Sequence, residues 1–235
     1  MTTLKKLSIA GKTIDDTTLP LLAGLTSLEE ISTDRTMLGD EGYRGFAAFT
    51  NLKSLALFHP SWDKKEFTGS GLAHLKPLAK LERLTFAGST AGDEAMAAVG
   101  ELTQLREFRT WHTRQTQDGN KHLTKLTKLV GLRLGQRLPP YGQASPPSFD
   151  DSTLPLLAQI KTLERLELTE AKLSAGRVVS ALKDLPALKM VLIQETDVSD
   201  GDVAALKAAL PHAQIDFKPL TAEERETLLT KKLKL

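Results

Sequence analysis

A Leu-x-x-Leu-x-Leu phrase returns eight times along this chain in one phase, with Ile, Phe or Val standing in at some positions. A single such unit cannot bury its own apolar row, so the copies must stack and bury one another's. The phrase reads LKKLSI from Leu4, LEEIST from Leu28, LKSLAL from Leu52 and LERLTF from Leu81. It continues as LREFRT from Leu105, LVGLRL from Leu129, LERLEL from Leu163 and LKMVLI from Leu188, and a weaker ninth copy, HAQIDF, begins at His212. The steps between first positions are 24, 24, 29, 24, 24, 34, 25 and 24, so insertions of five and ten residues interrupt a 24-residue period.

With the first Leu counted as offset 0, the apolar residues at offsets 3 and 5 alternate with polar ones, as a half-buried strand requires. A threonine often follows at offset 8 or 9 (Thr13, Thr36, Thr90, Thr113, Thr196), and an aspartate at offset 12 (Asp16, Asp40, Asp93, Asp200). Aspartate there is expected to cap a helix, its carboxylate accepting the free N–H groups of the first turn. Apolar residues three apart come next: Leu19, Leu22 and Leu25; Tyr43, Phe46 and Phe49; Leu72, Leu75 and Leu78; Leu154, Leu157 and Ile160. That spacing suits one face of a short helix of two or three turns. Parallel strands lie about 4.8 Å apart and helices are about 10 Å wide, so the strand side must be concave and the helix side convex.

This unit resembles the leucine-rich repeat, in its 24-residue bacterial form with consensus L-x-x-L-x-L-x-x-T-x-V-T-D-x-G-L. The segment LKMVLIQETDVSDGDV at 188–203 follows it closely, and the in-phase copies extend the likeness over nearly the whole chain. The resemblance implies an α/β solenoid of horseshoe shape, with a parallel β-sheet on the concave face and short helices on the convex face. It also implies a binding role, with no substrate and no catalytic residues. The departures are the two insertions, Asn120 where the fifth repeat should carry a helix Leu, and His212 at an offset-0 position. The expected organisation is a solenoid over 1–219 and a capping helix over 220–235. Thr221-Ala222-Glu223-Glu224 reads as a capping box, with Leu220, Leu228, Leu229 and Leu233 available to cover the last repeat. At the other end the first strand begins at once. Polar residues of the first repeat can cap it, the chain can belong to a longer protein, or the open edge can pair with a second copy, since an unpaired strand edge is a template for association.

Composition narrows the function. Lys plus Arg is 31 against 29 for Asp plus Glu, a balance that argues against a nucleic-acid binder. Cysteine is absent, which rules out disulfides, thiolate metal sites and a catalytic thiol, and fits a reducing, cytoplasmic setting. No run approaches the roughly 18 apolar residues of a membrane span, and Met1 to Lys6 lacks the apolar core of a signal peptide. There is no G-x-S-x-G, phosphate-binding glycine loop or H-E-x-x-H. Asp15-Asp16 and Asp150-Asp151 fall at helix starts. Neither catalytic residues, a cofactor nor a metal site is expected.

Strand offsets 2, 4 and 6 face the concave side, and most are small or polar. Phe58 and Trp111, both at offset 6, are the exceptions, and His59 and His112 follow them. Exposed aromatics are enriched at binding hot spots; the competing reading is that each ring lies on a neighbouring strand or under an insertion. The first insertion carries Trp62, and the second, 135–147, is proline-rich and carries Tyr141. Both leave the C-terminal ends of strands and rise from one rim, where repeat insertions commonly mark a binding side but also occur as tolerated surface loops. Arg83, Arg109, Arg133 and Arg165 project from successive repeats. They form an anion-receptive stripe, or, as the simpler reading, pair across adjacent strands: Arg83 with Glu107 and Arg133 with Glu167, leaving Arg109 and Arg165 without an obvious partner. The combined expectation is a non-catalytic scaffold for a protein or peptide partner bearing an acidic group. Binding would use Phe58, His59, Trp62, Arg109, Trp111, His112, Arg133 and Tyr141 around the rim of repeats three to six. The alternative is a recognition module for a glycan or other small or polymeric ligand.

Overall fold

A computed structural model describes residues 3–62, 64, 66–137 and 147–234. Nine strands form one parallel sheet in the order in which they occur in the chain. They are β1 (Lys6–Ala10), β2 (Glu30–Asp34), β3 (Ser54–Phe58), β4 (Arg83–Ala87), β5 (Glu107–Trp111), β6 (Gly131–Leu134), β7 (Arg165–Ala171), β8 (Met190–Thr196) and β9 (Gln214–Phe217). The register pairs like offsets: Leu84 lies beside Leu55 and Phe108, Arg133 beside Arg109 and Glu167. The inward residues of the central strands, such as Leu57, Leu84, Phe108, Leu166 and Ile193, are fully buried, and so are the offset-0 leucines from Leu28 to Leu163. The first repeat, with no neighbour on one side, leaves Leu4 exposed and Leu7 only partly buried.

The helical side is of two kinds. Three of the early helices are 3-10 helices: Leu19–Leu22, Glu41–Ala48 and Ser70–Leu75. A 3-10 helix repeats every 3.0 residues, so every third side chain points the same way. α-Helices form at Asp93–Gly100, Leu154–Leu157, Ala175–Leu182 and Asp200–Ala209, two of them on stripes that also recur every third residue (Met96, Val99 and Leu102; Leu154, Leu157 and Ile160).

The offset-12 aspartates do not cap their own helices. Asp40 makes no cap hydrogen bond to the helix it precedes. Instead its Oδ1 accepts the Gly71 N–H at 2.8 Å and its Oδ2 the Thr68 N–H at 3.0 Å, both in the next repeat. Asp16 likewise accepts the Gly39 N–H at 2.7 Å, and Asp93 the Thr116 N–H at 2.7 Å. These carboxylates tie consecutive repeats together, and a glycine in the following repeat makes the room. A Cβ on Gly42 would fall 1.9 Å from Asp16 Oδ1, and one on Gly119 2.4 Å from Asp93 Oδ1. Each such contact is therefore written across two repeats, the aspartate of one unit against the glycine of the next.

Asn120, the polar intruder of the fifth repeat, is fully buried and has a purpose. Its Nδ2 donates to the Ser148 carbonyl at 2.5 Å, and Gln136 Nε2 donates to the Phe149 carbonyl at 2.5 Å. Two buried amides thus hold the backbone at the far end of the ten-residue insertion. The five-residue insertion is also packed: Pro60, Ser61 and Phe67 are buried, and Phe67 stacks on Tyr43 with ring centroids 5.8 Å apart. At the C-terminus, Thr221 and Glu224 form a reciprocal capping box that opens a helix at Ala222. Leu228 and Leu233 from the following turn are buried against the last repeats.

Candidate functional site on the concave face and rim

Strand offset 6 runs across the sheet as Asp34, Phe58, Ala87, Trp111. Ala87 is small, so Phe58 and Trp111 meet over it, with centroids 6.2 Å apart and planes tilted by 55°. On the far side stands Gly135, where a Cβ would fall 2.7 Å from Trp111 Cβ. The sheet thus leaves the indole a slot between an alanine and a glycine. Arg133 places its guanidinium carbon 4.2 Å from the Trp111 ring centroid, a cation–π contact that holds both side chains. Both rings stay partly exposed. They are at once architectural and available, which merges the two readings the sequence left open.

Arg133 pairs with Glu167 on the adjacent strand as expected, its Nε 3.8 Å from Oε2, but the other arginines depart from the adjacent-strand scheme. Glu167 Oε1 accepts Arg109 Nη2 at 2.5 Å, and Glu107 Oε1 accepts Arg165 Nη2 at 2.7 Å. Each pair skips a strand. Arg83 reaches past Ser54 to Glu30 at 3.7 Å rather than pairing with its neighbour Glu107. Arg165 passes over Gly131, which has no side chain to block it. Long side chains on a concave sheet converge, so the second strand away lies within reach. Arg109 and Arg165, expected to lack partners, are therefore ion-paired, and Arg109 is not a free cation for an acidic ligand. Around Gly131 the three arginines and two glutamates enclose a hollow of about 200 Å³.

Beyond the strands lies a feature that the repeat pattern only hinted at. Offset 7 takes a left-handed backbone in almost every repeat: Gly11, Arg35, His59, Gly88, His112, Glu170 and Glu195 all have φ between +46° and +109°. A non-glycine residue there costs roughly 1–2 kcal/mol. All five that accept this strain carry titratable or charged side chains, and all stand on the same rim. His59 Nδ1 lies 2.8 Å from Asp34 Oδ1, and its ring meets Trp62 edge-on at 6.3 Å. His112 Nε2 lies 2.9 Å from Glu170 Oε2. Burial pushes the Glu170 carboxyl up, but His112 and Lys232 beside it outweigh that and hold it below the usual carboxylate range. Lys232 also reaches Glu195.

Of the sequence-derived candidates, Phe58, Trp111, Arg133 and Arg109 come together on the concave face. His59 and Trp62 form a second group at the rim, and His112 stands between them and the acidic end. Tyr141 falls outside the described residues, as does 138–146 of the second insertion. Sequence reasoning passed over Arg35, although it shares offset 7 with His59 and His112. It also passed over Lys12 and Met37, which line the rim with it. Among the described residues, no three His, Asp or Glu side chains form a set that could hold a metal ion, and no helix is long and apolar enough to cross a membrane.

The architecture is that of leucine-rich repeat proteins. Internalin C2 of Listeria monocytogenes superposes with a TM-score of 0.55 at 15% identity, over 91% of this chain and 80% of that one. A leucine-rich repeat protein of Leptospira interrogans aligns with a TM-score of 0.40 at 16% identity, over 83% of this chain and 56% of that one. No family model and no curated protein matches the sequence. At such identity the likeness is one of fold, and the chain has the leucine-rich repeat fold.

Proposed function

We propose that this protein is a non-catalytic binding scaffold that holds a protein or peptide partner against its concave face and the adjoining rim of repeats three to six, centred on Trp111. The observation that carries the reading is the Phe58–Trp111–Arg133 cluster. Two aromatic rings and a guanidinium sit partly exposed on a sheet face whose other outward residues in repeats three to six are mostly small, polar or charged. Such anchors, held rigid by their neighbours, lose little entropy on binding and are typical of interface hot spots. The span from repeat three to repeat six is three strand steps, roughly 15 Å, well within an interface of about 800 Å² per side. Arg133 covers one face of Trp111, which reduces the open ring available for stacking on a sugar and favours the protein partner over the glycan alternative.

The test compares the wild-type protein with Trp111→Ala and with Trp111→Ala/Arg109→Ala, by pull-down from the source organism and on a glycan array beside it. A partner captured by the wild type should bind Trp111→Ala roughly 30-fold or more weakly, the loss expected of a hot spot, with the melting temperature nearly unchanged. Undiminished binding by the double variant would place the site elsewhere.

A further inference from the structure

The left-handed rim positions form a charge ladder with two unlike halves. Toward the C-terminus stand Glu170 and Glu195, and a segment of the chain itself is seated on them: Lys232, from the terminal helical turn, bridges both carboxylates. Toward the N-terminus the sign reverses. Arg35 and His59 occupy the equivalent positions in repeats two and three, and Lys12 follows Gly11 in repeat one. These residues, with Met37 and Trp62, line an open groove of about 440 Å³. Trp62 is 48% exposed, the most exposed large aromatic among the described residues. Among the described residues, three acids of these repeats are already engaged. Asp34 faces His59, Asp16 holds the Gly39 N–H and lies 3.6 Å from Lys64, and Asp15 accepts from Thr17 and Thr18. Arg35 is exposed and makes no side-chain ion pair or hydrogen bond among the described residues.

We propose that this basic half of the ladder is a docking groove for an acidic, partly apolar peptide segment of a partner, its carboxylate on Arg35 and an adjoining apolar side chain between Trp62 and Met37. The argument is charge complementarity together with the molecule's own precedent. At the acidic half, the same backbone positions hold a chain segment through its opposite charge. At the basic half, a strained guanidinium with no side-chain ion pair among the described residues is presented beside an exposed indole. Arg offers a planar fork that fits a carboxylate, and Trp62 supplies apolar contact area at little entropic cost. The acidic preference expected of the partner thus moves from Arg109, whose charge Glu167 satisfies, to Arg35. The proposal rests on the scaffold reading above and extends the contact surface from repeats three to six down to repeat one.

The two tryptophans, Trp62 and Trp111, give two indole N–H signals in a proton–nitrogen correlation spectrum, assigned through Trp62→Phe. The probes are the capped peptide acetyl-Gly-Phe-Glu-Gly-amide, its Gln counterpart, and acetate. The Glu peptide should shift the Trp62 signal saturably, whereas the Gln peptide and acetate should shift it far less. Arg35→Gly, which installs the residue repeats one and four already carry at that position, should keep the fold and weaken the Glu peptide about tenfold, as loss of one charge-assisted contact implies. Equal responses to the Glu and Gln peptides, a response to acetate alone as large as that to the peptide, or an unchanged affinity in Arg35→Gly would each overturn the groove. A shift confined to Trp111 would overturn the groove and leave the concave-face reading standing.

Discussion

Replacing Gly71 by alanine tests how the repeats are joined. A Cβ at this position would fall 2.0 Å from the Asp40 carbonyl oxygen and 2.6 Å from its carbonyl carbon and Cα. The obstacle is backbone, so no side-chain rotation relieves it, and the two repeats must move apart by more than 1 Å to restore ordinary contact. That movement stretches the Asp40 Oδ1 bond to the Gly71 N–H, now 2.8 Å. Overpacking a well-packed contact costs typically 1–3 kcal/mol, and a lost hydrogen bond to a charged group about 1.5–3 kcal/mol. Alanine's better helix propensity returns about 1 kcal/mol, which leaves a net loss of about 2–5 kcal/mol. Gly176→Ala is the control: a Cβ there meets nothing within 4 Å, so the change should stabilise the Ala175–Leu182 helix by up to about 1 kcal/mol. Urea unfolding reads both as shifts of the midpoint at constant slope. Combining Gly71→Ala with Asp40→Ala should cost less than the sum of the two, because the hydrogen-bond part is lost only once while the backbone clash remains. A Gly71→Ala protein within about 0.5 kcal/mol of wild type, the range of an ordinary surface change, would refute the idea that aspartate and glycine of adjacent repeats form one interlocking contact.

Three further outcomes follow from other contacts. The Tyr43 hydroxyl is fully buried with no hydrogen-bond partner among the described residues, and burial raises its pKa; Tyr43→Phe should therefore leave stability unchanged or raise it by about 1 kcal/mol in thermal melts, and a clear loss would reveal a hidden partner. Asn120→Ala strands the Ser148 carbonyl in the interior and should cost about 1–3 kcal/mol, with faster amide exchange at 148–149 than in the strands; slow exchange there would show that the insertion is held by something else. Because the folded carboxyl of Glu170 titrates below the usual range, its contribution to stability is fully present above the unfolded glutamate pKa of about 4.3 and is lost as pH falls through the lower folded value. Denaturant melts of the wild type and Glu170→Gln should differ at neutral pH and converge at low pH, and a gap that persists unchanged below pH 3 would refute that reading.

The candidate residues were partly legible before the structure. Phe58 and Trp111 stood out because a large ring at an outward strand offset breaks the pattern of small and polar neighbours. Arg35 was missed because a single arginine on a surface looks ordinary until its backbone conformation is known. The pairing of Arg109 with Glu167 and of Arg165 with Glu107 was missed because adjacency in register suggested nearest neighbours.

The chain's periodicity alone determined that the protein stacks repeats, which offsets form the parallel strands, and which side chains face inward, because a two-residue alternation repeated every 24 residues has only one way to bury every leucine. The spacing of three marked a short helix but not its kind, since the same stripe winds as 3-10 at Ser70–Leu75 and as α at Leu154–Leu157. Only the tertiary structure decided that Asp40 serves the next repeat rather than its own, that several ion pairs skip a strand, and that one rim position is left-handed in almost every repeat, with Arg35 exposed toward one end and acids bridged by Lys232 at the other. These depend on the curvature of the stacked sheet and on which side chains are small enough to be reached across. Both arise between repeats, and a pattern read along one repeat does not contain them.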